Sequence, residues 1–112
     1  NAAPINGAEV YDPVANAWLA ANMTAARGLH SANLLPDGRV AICGGAQGTL
    51  TAPVPIDGVE LFDPSTNSWT TLPPLNGPRS GHAAGVTPDG TLLLFGGQGA
   101  TTTLTSIETL RF

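Results

Sequence analysis

Lysine is missing altogether from this chain of 112 residues, cysteine occurs once, and only 11 % of the residues are charged. Each shortage closes a class of function. Four arginines are the whole basic complement and the formal net charge is −4. With no basic run to lie along phosphates, neither nucleic acid nor membrane insertion is expected. The single thiol, Cys43, permits no internal disulfide and no multi-cysteine metal site. No apolar run approaches the roughly 20 residues of a membrane span. No charged-then-apolar leader opens the sequence, so the chain is expected to start already processed or as a piece of something longer.

Glycine and proline are abundant instead, 14 and 10 residues, in a chain that is 42 % hydrophobic. That balance fits many short strands joined by turns. No apolar stripe at helical spacing holds; residues 15–26 come nearest and fail.

The strands recur. Residues 27–45 read as two strands around Pro36-Asp37-Gly38, closed by Gly44-Gly45, and residues 79–97 repeat the pattern around Asp89-Gly90, closed by Gly96-Gly97. Glu9-Val10-Tyr11-Asp12-Pro13 returns as Glu60-Leu61-Phe62-Asp63-Pro64, and Trp18 returns as Trp69. The period is roughly 50 residues, that of a four-stranded unit. In each unit Asp-Pro starts a turn, because the aspartate side chain can bond the backbone two residues on and proline presets the next φ. The fold class expected is all-β, with strands A to D antiparallel in every unit. Residues 1–7 form an incoming loop, and the 44–57 segment is expected to stay irregular because Pro53 and Pro55 cannot donate to a ladder.

The Arg79-Ser80-Gly81-His82 stretch, the double glycines, Glu60-Leu61-Phe62-Asp63-Pro64 and Trp69 resemble the kelch repeat over nearly the whole chain. No unit ends on Trp-Asp, so a WD40 repeat is not suggested. The resemblance implies an incomplete kelch-type β-propeller of about two blades' worth of strands. Residues 1–22 supply strands C and D of one blade, 27–71 a full blade, and 79–112 strands A to C of a third. A propeller closes with 4 to 8 blades, so the remaining blades, or copies of the chain itself, are expected partners. Physics accounts for the motif residues. Trp18 and Trp69 offer flat surfaces for packing blade on blade. Tyr11 and Phe62 are core positions. Gly44, Gly45, Gly96 and Gly97 permit close backbone approach. Glu9 and Glu60 are expected to pair with arginines such as Arg27 and Arg79, since an unpaired buried charge is costly. Cys43, ending an apolar strand, reads as a small core residue.

Strand alternation places the short A-B and C-D turns on one face and the longer, variable B-C and D-A connections on the other. Ligands usually bind variable loops held by a rigid scaffold. Arg27, Gln47, Asn76, Arg79 and Gln98 are therefore the candidate ligand-binding residues, for a protein or carbohydrate partner. His30 and His82 stand at equivalent places near the central channel. They read first as structural histidines and, alternatively, as metal ligands. Arg27-Gly28-Leu29-His30-Ser31 with Pro36-Asp37-Gly38-Arg39-Val40 resembles propeller segments of galactose oxidase and related copper-radical oxidases, which would imply copper. Those enzymes carry a tyrosine just before the histidine, where Leu29 and Gly81 stand here, and the one tyrosine is Tyr11. No catalytic residues are assigned. Asp12, Asp37, Asp63 and Asp89 are turn residues, and the Ser31-His30 and Ser80-His82 pairs lack an orienting acid. No phosphate-cradling loop precedes a helix, and Asn22-Met23-Thr24 is a chance-grade sequon. The sequence thus points to a non-catalytic binding scaffold with no cofactor. Its alternatives are the propeller portion of an oxidase and a self-assembling module. The Pro-Asp-Gly-Arg-Val turn and the missing lysine resemble bacterial secreted kelch proteins, implying an extracellular or cell-surface location.

Overall fold

The computed structural model describes residues 3–49 and 51–112. The parts of the incoming loop and of the 44–57 segment that fall on Asn1, Ala2 and Leu50 lie outside the described residues. The chain is all-β, built of several antiparallel sheets, with no helix among the described residues.

A hairpin of β1 (Glu9–Asp12) and β2 (Ala17–Ala20) comes first. The central sheet has four strands, β3 (Ser31–Leu34), β4 (Val40–Cys43), β7 (Val59–Asp63) and β8 (Ser68–Leu72), paired in chain order. A last sheet pairs β9 (Ala83–Val86), β10 (Leu92–Phe95) and β11 (Ile107–Leu110), again in chain order. Between β4 and β7 lies a small hairpin of β5 (Ala46–Gly48) and β6 (Pro53–Pro55).

That hairpin corrects the expectation of an irregular 44–57 segment. Antiparallel strands alternate hydrogen-bonded and non-hydrogen-bonded pairs. Thr49 and Ala52 exchange backbone bonds, and Ile56 N–H donates to Gly45 O at 2.9 Å. Pro53 and Pro55 stand opposite Gly48 and Ala46, at the alternate places where no N–H is needed.

The turns follow from their residues. Asp12 Oδ1 accepts from Val14 N–H and Asp63 Oδ1 from Ser65 N–H, both at 2.9 Å. Asn16 and Asn67 then take the left-handed conformation, with φ of 50° and 52°, and lead into the outer strand. At the A-B turn Gly38 N–H donates to Leu35 O at 3.0 Å, and Gly38 has φ 93°. Proline takes the second place of that turn.

The core lies between the central and last sheets. Leu35, Ala41, Cys43, Val59, Leu61, Leu75, Leu92 and Leu94 form one cluster, with Leu72, Ala84, Val86 and Leu110 packed against it. Cys43 is fully buried, and burial pushes its thiol up to about 12. Among the described residues no sheet packs on the outer side of the β1–β2 hairpin. Trp18 is 64 % and Tyr11 44 % exposed, while the equivalent Phe62 is buried. Trp18 packs its ring at a tilt on Tyr11 (5.1 Å), whereas Trp69 packs at a tilt on Phe62 (5.0 Å) and also donates its Nε1–H to Ala21 O of the neighbouring sheet, at 2.9 Å.

Candidate functional site

Two buried arginines organise the loop face from beneath. Arg27 stands just before β3, with its side chain 2 % exposed. It donates to Gly44 O and Gly58 O and pairs with Glu60 at 2.8 Å. The other carboxylate oxygen of Glu60 accepts from Thr24 N–H at 2.8 Å. One sheet later the arrangement repeats. Arg79 donates to Gly96 O and Ser106 O and pairs with Glu108 at 3.2 Å, and Glu108 accepts from Asn76 N–H at 2.8 Å. Each glutamate thus ties a connector from one sheet to the arginine that opens the next.

The expected pairing of Glu60 with an arginine is present. Arg27 and Arg79, 4 % and 2 % exposed, are closed in by carbonyls and carboxylates, so their charges are neutralised within the fold. Glu9, also expected to pair with an arginine, is exposed instead. Glu108 is the residue the sequence reading passed over. Its strand lacks the Asp-Pro that marks the other two, and only the alternation Ile107-Glu108-Thr109-Leu110 signals the place.

The double glycines sit where these parts meet. A Cβ on Gly45 would lie 2.6 Å from Gly28 O, and one on Gly97 2.7 Å from Ser80 O. Both residues also have positive φ, 101° and 93°. Only glycine fits such a conformation against backbone.

His82 bonds across sheets, Nε2 to Ser31 Oγ at 2.8 Å, and the Nδ1 atoms of His30 and His82 have no hydrogen-bond partner. Burial lowers both histidine pKa values below the ordinary 6.5. Arg27 adds to the effect at His30, and Arg79 and then His30 add to it at His82. Burial thus favours the neutral form of both rings. Among the described residues no three His, Cys, Asp or Glu side chains gather as a metal site would need.

The remaining candidates separate. Gln47 is exposed, bonds Ala26 O at 3.3 Å and edges a mostly apolar cavity of about 130 Å³ that Pro4, Gly28, Leu29, Ala46 and Pro53 also line. Asn76 lies with Arg79, Thr102 and Ser106 on a second, more polar cleft of about 360 Å³. Gln98 lines neither. Its backbone bridges Ser80, and its side chain accepts from Thr103 Oγ1 at 3.2 Å.

Leu29 stands out in the first cavity. It is 53 % exposed and holds φ 55°, a conformation that costs a leucine roughly 1–2 kcal/mol. The equivalent residue one repeat on is Gly81, with φ 62°. Val54, 57 % exposed, follows the cavity residue Pro53.

The four-stranded sheet, the arginine locks and the double glycines agree with a comparison of families. The model of the Kelch motif matches residues 36–76. This chain is a kelch-repeat segment. Over 96 residues it is 34 % identical to Kelch-like ECH-associated protein 1A of Danio rerio, a match that takes in 84 % of this chain. The segment spans 16 % of that relative's length.

Proposed function

We propose that this kelch segment belongs to a protein-interaction scaffold, and that the cavity beside Leu29 receives an apolar side chain of a protein partner. Leu29 carries the reading. A position that glycine fills without strain in the next repeat holds instead a half-exposed leucine in left-handed backbone, and strain of that kind persists where it serves a site. The cavity is concave and mostly apolar, with Gln47 and Thr49 able to orient a ligand at its edge. Among the described residues no aromatic ring lines it for a sugar to stack on, which favours protein over carbohydrate. The kelch relative supports the same class.

Peptides selected from a displayed library against the chain provide the test. Leu29→Gly relieves the backbone strain and deletes the apolar contact. It is expected to raise thermal stability while weakening a selected peptide by about tenfold, the loss of about 1.4 kcal/mol from a buried leucine. A variant that is stabilised and binds as before overturns the reading, because folding and recognition are then unlinked at this residue.

A further inference from the structure

Asparagine is followed by glycine twice, at Asn6-Gly7 and Asn76-Gly77, and the fold treats the two pairs differently. The carboxamide of Asn6 donates to Met23 O at 3.2 Å, and Asn6 O accepts from Met23 N–H at 2.8 Å, so side chain and backbone are both held. Asn76 is exposed on the connector between β8 and β9, and its carboxamide bonds no described residue. Gly77 N–H is likewise free among the described residues. A Cβ on Gly77 would meet nothing within 4 Å, so no neighbour crowds this peptide.

The connector is tied on both sides of the pair. Upstream, Leu75 N–H donates to Asp57 O at 2.9 Å and Asn76 N–H to Glu108 Oε1 at 2.8 Å. Downstream, Arg79 N–H donates to Ile56 O at 3.2 Å, and the Arg79 guanidinium pairs with Glu108. The length of backbone from residue 76 to residue 79 is thus part of the Arg79–Glu108 lock. Asn76 and Glu108 line the same polar cleft.

We propose that Asn76 is a self-modifying position, a site of succinimide formation whose products loosen the Arg79–Glu108 lock. Gly77 N, its proton passed to water or hydroxide, attacks Asn76 Cγ. The new N–Cγ bond closes a ring, the Cγ–Nδ2 bond breaks, and Nδ2 takes up a proton and leaves as ammonia. Glycine favours the closure because it has no Cβ and a wide choice of backbone angles. Water then opens the ring at either carbonyl. Opening at Cγ gives aspartate; opening at the backbone carbonyl carbon gives isoaspartate, whose main chain runs through Cβ and Cγ. Either product puts a carboxylate in the cleft that already holds Glu108, and like charges repel. Isoaspartate also adds one atom to the backbone between the two ties. The site shares no lining residue with the Leu29 cavity.

Ageing of the whole chain at neutral pH and body temperature, native and in urea, tests the proposal. Cleavage after arginine puts the two pairs in separate fragments, residues 1–27 and 40–79, and mass spectrometry locates the change from amide to carboxylate. Asn76 should convert in the native chain within about threefold of its rate in urea, whereas Asn6 should be slowed roughly tenfold by folding. Gly77→Ala, at an open place without positive φ, should keep the fold and slow conversion of Asn76 roughly tenfold. The isoaspartyl fraction, separated by ion exchange, should unfold at lower urea than the fresh chain. Asn76 that stays intact in the native chain overturns the proposal, as do equal native rates at Asn6 and Asn76. An isoaspartyl fraction as stable as the fresh chain also overturns it, because the modification then does not reach the lock.

Discussion

Three glutamates at one repeat position form an internal control for the arginine lock, and replacing each by alanine should produce a graded loss of stability. Glu60→Ala leaves Arg27 buried without its counter-charge and Thr24 N–H without its acceptor. Removing one partner of a buried pair costs about 3–5 kcal/mol. That is a large fraction of the roughly 5–15 kcal/mol that holds a domain folded. Glu108→Ala should cost less, about 2 kcal/mol. Its pair is longer, its side chain is 10 % exposed, and Arg79 keeps the Ser106 hydroxyl at 3.0 Å. Glu9→Ala, at an exposed place, should change stability by no more than about 0.5 kcal/mol. Urea unfolding followed by tryptophan fluorescence measures all three, and the Glu60→Ala midpoint should fall by about 1 M or more. Equal losses at the three positions, or a loss at Glu60 below about 1 kcal/mol, would refute the lock.

Other consequences follow from the same geometry. Gly45→Ala and Gly97→Ala meet carbonyls at 2.6 and 2.7 Å and should lower the melting temperature far more than Gly38→Ala, where φ is positive but the space is open. Stability should fall with acidification below pH 6.5. His30 and His82 have lowered pKa values in the fold, so the unfolded chain binds more protons in that range. The contribution is complete above 6.5 and is lost as pH falls through the folded values; a stability profile flat between pH 7 and 5 in the native chain, or unchanged by His30→Gln with His82→Gln, contradicts it. Cys43, its thiol pushed up to about 12 and fully buried, should resist a thiol reagent at pH 8 until urea unfolds the chain, and prompt labelling of the native protein would contradict that burial.

The repeat was legible because each landmark performs a local task that restricts its residue type. Asp-Pro and Pro-Asp-Gly encode turns, and the double glycines encode left-handed backbone against carbonyls. Partner choice across sheets was harder to read. Arg27 and Arg79 were candidates both for a glutamate pair and for a ligand contact on the variable loops; the pair with Glu60 was legible, whereas Gly44 O and Gly58 O closing around Arg27 appear only in the fold. Glu108 was hidden because the turn that marks its counterparts is absent after β11. The Pro53–Pro55 strand was hidden because proline's effect on a ladder depends on pairing parity, which no composition reveals. Leu29 was visible only as a departure from an oxidase pattern. Its left-handed φ, and the cavity that gives that strain a use, appear with the coordinates.

Hydrogen exchange of the chain with and without a selected peptide tests the central claim most directly. Binding at the loop face predicts slowed exchange at residues 28–29 and 46–49, with the turn at residues 36–38 on the opposite face unchanged. Protection at residues 36–38 and none around Leu29 would contradict it, and the partner would then have to be sought on the face of the short turns.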